Sequence, residues 1–116
     1  MTPKSKALDK KYRELGTLEE KICVKKRMLD RICELSPGDT KEFERQLADM
    51  EDRAALLKKE MIADFSLVTD EKLLSVLSGI YLEHKDWIEV AKEIKYTVRY
   101  AMMLRDKGLS QITREK

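Results

Sequence analysis

Apolar residues recur at helical spacing along most of this chain, and the breaks between the runs divide it into successive helices. Leu8, Leu15, Ile22 and Leu29 come every seven residues, with Leu18 and Ile32 at d positions of the same heptad frame. The spacing predicts a helix from Ser5 to Leu35, on the order of 45 Å long at about 1.5 Å per residue. Lys25 takes the intervening d position and weakens the seam there. Ser36-Pro37-Gly38-Asp39-Thr40 then stops the helix, because proline cannot continue it and glycine relaxes the backbone. Asp39 or Thr40 can cap the next helix, which carries Phe43, Leu47, Met50, Ala54, Leu57 and Met61 at alternating spacings of four and three. So short a connection makes the two helices antiparallel neighbours.

Three shorter helices are expected beyond a link at Phe65, Leu67 and Val68. Leu73, Leu74, Leu77, Ile80 and Tyr81 have the 3.6-residue period, with Asp70 and Glu71 placed favourably at the N-terminal dipole. Trp87, Val90, Ala91 and Ile94 mark the next helix, with Asp86 as its N-cap. After Lys95-Tyr96, Thr97 can cap a last helix whose inward face is Ala101, Leu104 and Leu109. The expected fold is all-α: a long, coiled-coil-like antiparallel hairpin over 1–65, followed over 66–116 by a three-helix head. The last two helices and their tight turn read as a helix-turn-helix, the unit that lays its second helix in a DNA major groove.

The segment 86–112 also resembles the fourth region of bacterial sigma factors, which reads the −35 promoter element. It is more similar still to small transcriptional regulators of phages and prophages of Gram-positive bacteria, the ArpU- and RinA-type late activators. The residues that carry the likeness are Tyr81-Leu82, Trp87-x-x-Val90-Ala91, Ile94, Tyr96-Thr97, Leu104 and Lys107-Gly108-Leu109. The resemblance implies that the helix over 70–82 supports the two-helix motif. This chain departs from the sigma pattern at Val98, Met102 and Met103, where that family has polar residues. It departs again at Lys95, where a glycine is common and a left-handed backbone would cost lysine roughly 1 kcal/mol.

Composition narrows the picture further. Charged residues make up 40% of the 116 and aromatics 6%, with four glycines and two prolines, as solvated helices require. The net charge of +2 is small but uneven. Residues 95–116 hold six basic side chains against two acidic, while residues 1–64 hold fifteen against fourteen. The excess lies on and after the expected recognition helix. The lysines at the N-terminus are followed by no apolar run, and no stretch is long and apolar enough for a membrane span, so a cytoplasmic protein is expected. Cys23 and Cys33 are roughly 15 Å apart along one helix and cannot bridge each other. Cys33 is expected beside the apolar seam and Cys23 exposed; neither has the partners of a zinc site.

A two-helix hairpin buries one stripe per helix and is marginal alone. A four-helix bundle formed with a second hairpin would relieve this, and Val24, Met28 and Leu56 offer apolar surface for such a homodimer. His84 reads as an exposed turn residue and Trp87 as a core anchor of the head. Glu89 and Glu93 read as a solvated face, and no enzyme motif or cofactor-binding motif is present. The expected reader of double-stranded DNA is the outward face of the last helix. Arg99 is placed for a guanine contact, and Tyr100 for a phosphate or a thymine methyl. Lys95, Thr97 and Lys107 suit backbone phosphates, Arg105 either role, and Met103 lies on the same face. Two functions follow: a promoter-binding regulator whose hairpin dimerises or contacts RNA polymerase, or a protein-interaction module that uses the methionine face without DNA. No metal, cofactor, membrane or small-molecule substrate is expected for either.

Overall fold

Helix α1 (Pro3–Leu35) begins two residues earlier than the periodicity indicates, because Thr2 caps it, its Oγ accepting the Ser5 amide. The computed structural model describes all 116 residues, and every regular element is helical. Helix α2 (Lys41–Phe65) follows the Pro37-Gly38 break. Thr40 holds the N-cap position without capping through its side chain; its hydroxyl donates instead to Glu44. The two helices run antiparallel: Lys11 meets Glu60 at 2.9 Å near one end, and Lys25 meets Gln46 and the Phe43 ring towards the other. The d-position lysine therefore adapts to the seam through its ammonium rather than by burial.

Helix α3 (Glu71–Leu77) is capped by Asp70, whose carboxylate accepts the Lys72 and Leu73 amides. It runs on into a π-helical turn, Ser78–Leu82, which sets Gly79 against Val90 and buries Tyr81. Asp86 caps α4 (Trp87–Ile94) through the Glu89 amide, and Thr97 caps α5 (Val98–Glu115) through the Tyr100 amide. Gly108 lets α5 approach α3 closely: a Cβ there would stand 2.9 Å from Leu77 Cδ1.

One core of 18 residues spans the chain, so the packing does not divide at residue 65. Leu8, Tyr12 and Leu15 from the first turns of α1 join Met61 and Phe65 of α2, Val76, Leu77 and Tyr81, and Leu104, Leu109 and Ile112 of α5. The heptad frame did not mark Tyr12, which is wholly buried. Cys33 is exposed, a correction to its expected place beside the seam, because that end of the hairpin is too open to cover it. The molecule measures 52 × 30 × 21 Å. No helix is long and apolar enough to cross a membrane.

Candidate nucleic-acid interface

The turn between α4 and α5 is three residues, Lys95–Thr97, and its shape is set by Lys95. That residue is left-handed (φ 61°, ψ 40°), and its amide reaches back to the Ala91 and Lys92 carbonyls. The Tyr96 amide donates to Ala91 as well, at 3.0 Å. A lysine therefore occupies the glycine-favouring conformation that the resemblance implies. Helix α5 buries Ala101, Leu104, Arg105, Gly108, Leu109 and Ile112. Its opposite face is left to solvent.

Of the residues expected to touch DNA, Lys95, Arg99, Met103 and Lys107 are exposed. Thr97 Oγ is engaged as the helix cap, 3.2 Å from the Tyr100 nitrogen, which leaves its O–H able to donate. Tyr100 is half-buried, its ring 4.4 Å from that of Tyr96. Lys107 lies apart from the turn, in a hollow shared with Asp70, Gln111 and Arg114.

Arg105 corrects the expectation. It belongs to the buried face, with its side chain 11% exposed. Its Nε donates to Asp106 at 2.8 Å, Nη1 lies 3.5 Å from Asp9 on α1, and the guanidinium stacks 5.1 Å from the centre of the Trp87 ring. Burial works against the charged form, but the bond to Asp106 and the proximity of Tyr81 outweigh it and hold the pKa above its ordinary value. A guanidinium so engaged positions the helix; it does not read a base. Asp9 also accepts from the Tyr81 hydroxyl, so α5 is tied directly to the start of α1.

Lys72 and Tyr96 were not singled out as contact residues. Lys72 Nζ donates to Tyr96 Oη at 2.8 Å and sits 4.8 Å from the centre of that ring. The tyrosine hydrogen bond raises the lysine pKa. Tyr96 and Tyr100 are four apart, a spacing visible in the sequence, but the lysine comes from the first turn of α3 and only the fold brings it there. Lys72 thus joins two tyrosine rings at a turn where Lys95 and Arg99 are exposed. The apolar residues beside them, Met102 and Met103, are 37% and 58% exposed. His84, the other left-handed non-glycine residue, bonds Glu19 at 2.8 Å and packs over Gly16, fastening the head's second turn to α1.

This arrangement defines an all-helical chain with a basic, aromatic-edged turn and an open helix face. The chain matches no protein-family model, no curated protein and no solved structure.

Proposed function

We propose that the chain is a DNA-binding transcriptional regulator of the phage or prophage type, with α5 as the helix that enters the major groove. The observation that carries the reading is the α4–turn–α5 unit. Its left-handed Lys95 and helix-capping Thr97 leave Arg99 free on the first turn of an outward helix face, among further cations. Arg99 donates in bidentate fashion to a guanine edge. Lys95, Lys72 and the Thr97 hydroxyl hold phosphates, while Tyr100 supports the turn through Tyr96. The hairpin supplies a second surface, for RNA polymerase or another copy of the chain.

Fluorescence anisotropy of labelled promoter duplex tests this at two salt concentrations. Sequence-specific binding weakens as salt rises, and Arg99→Ala lowers affinity by about tenfold or more. Met103→Ala changes it little. One observation favours a second reading: Ile88, Met102 and Met103 are all exposed and apolar. On that reading the head binds a protein. Binding to duplex that shows neither sequence preference nor any effect of Arg99→Ala would then replace the first.

A further inference from the structure

The distal part of α1 carries a second stripe that nothing in the chain covers. Thr17, Lys21, Val24, Met28, Arg31 and Leu35 follow one another at spacings of four and three, the period of a coiled-coil seam. Val24, Met28 and Leu35 are 47%, 45% and 84% exposed. Lys21 and Arg31 interrupt the stripe, but their aliphatic stems can lie along it while their charges reach water. A row of four charges runs beside the stripe at spacings of seven: Arg13, Glu20, Arg27 and Glu34, all exposed. Glu20 borders one hollow over Val24 and Met28, and Arg27 borders another over the same two residues. Stripe and row are therefore one surface.

We infer that a second copy of the chain docks on this surface, with the two α1 helices antiparallel about a two-fold axis near Cys23. The charge row identifies the occupant. Arginine and glutamate alternate along it, so reversing the direction of the row exchanges the signs. In the antiparallel register Arg13 of one copy faces Glu34 of the other, and Glu20 faces Arg27, each pair occurring twice. In a parallel pairing the two charge rows would lie on opposite sides of the seam and never meet, and an unrelated partner gives no reason for a row that complements itself. The area agrees. A compact monomer of 13.6 kDa exposes about 6,600 Å², whereas this chain exposes 7993 Å². The excess of roughly 1,400 Å² exceeds the ~800 Å² that each partner commonly buries in a stable interface. The pairing puts the two heads at opposite ends of the assembly. It names the partner of the hairpin, yet rests on the hairpin surface alone, so a failure of the head to bind DNA leaves it standing.

Sedimentation equilibrium of the full chain under reducing conditions, across the micromolar range, tests the inference. The parent chain is dimeric. Val24→Glu with Met28→Glu is monomeric and keeps its helical circular dichroism, since both positions face solvent in the single chain. Glu20→Arg weakens the dimer by about tenfold, having placed two like-charged pairs in contact. Adding Arg27→Glu to Glu20→Arg restores the dissociation constant to within about threefold of the parent, because the exchanged charges again face opposite signs. A monomeric parent would overturn the inference. So would a dimer indifferent to Val24→Glu with Met28→Glu, or one that the double charge exchange fails to restore.

Discussion

Near the start of α1, Tyr12, Phe65 and Tyr81 pack around one another, with the Tyr12 ring edge-on to both others at 5.5 and 5.3 Å. Their hydroxyls are bonded as well: Tyr12 to Asp64 at 2.5 Å, Tyr81 to Asp9. Towards the tip, the same two helices bury almost nothing, and between residues 18 and 53 only Thr40 and Leu47 are covered. The difference lies in the number of layers. At the head end α1 is roofed by α5 and the π-helical turn 78–82, and the end of α2 joins them through Phe65 and Tyr81, so large side chains are enclosed on every side. At the tip two helices meet along one stripe and leave their flanks open. The stability of the monomer therefore resides at the head end, and the tip remains apolar enough to take a partner.

Truncation of the central ring is the strongest way to break that comparison. Tyr12→Ala removes a wholly buried side chain and costs about 4 kcal/mol. Ile32→Ala, at a half-buried tip position, costs about 1 kcal/mol or less when measured on the monomeric Val24→Glu, Met28→Glu background. Urea denaturation of both variants checks this, and equal losses would mean that the tip is packed as tightly as the head end. Asp9→Ala comes next. It strips the acceptor from the buried Tyr81 hydroxyl and one partner from Arg105, for a loss of about 2 kcal/mol. An effect below about 0.5 kcal/mol would show that Asp106 alone satisfies the guanidinium.

Alkaline pH probes the same network without mutation. Burial first, and then the bonded carboxylates of Asp64 and Asp9, raise the pKa of Tyr12 and Tyr81 above the ordinary value of 10.0. The native state holds both protons more tightly than the unfolded chain. Their contribution is complete below the ordinary tyrosine pKa and is lost as the pH climbs through and beyond it. The urea midpoint falls from about pH 9 to about pH 11, and falls less in Tyr12→Phe. A flat profile would mean that both hydroxyls reach water.

What the sequence showed and hid follows the same division. Helix count, the hairpin break, the caps at Asp86 and Thr97 and the place of Asp70 at a helix start are local, written in adjacent residues and in periodicity. The three shorter helices and the outward placement of Arg99 follow from those signals. The role of Tyr12 was hidden because it lies off the heptad frame, and only the arrival of α5 and the π-helical turn with Tyr81 over the first turns of α1 makes it central. Arg105 misled for the same reason. On a helix wheel it borders the exposed face, and nothing local announces that Asp9, almost a hundred residues earlier, stands beside it. Lys72 joined Tyr96 by the same long-range route.

Lys95 separates the fold of the turn from the binding proposed for it. Its left-handed backbone costs a lysine roughly 1 kcal/mol relative to glycine, and its side chain is exposed, with nothing in the chain to offset that cost. Lys95→Gly therefore raises stability by about 1 kcal/mol in urea denaturation, the only gain among these variants. If the ammonium grips a phosphate, the same variant binds duplex DNA less tightly and its affinity depends less steeply on salt. A more stable protein that binds DNA as well as its parent would leave the strain at Lys95 without a functional counterpart and shift attention to the methionine face. A protein no more stable than its parent would show instead that the turn relaxes around the lysine.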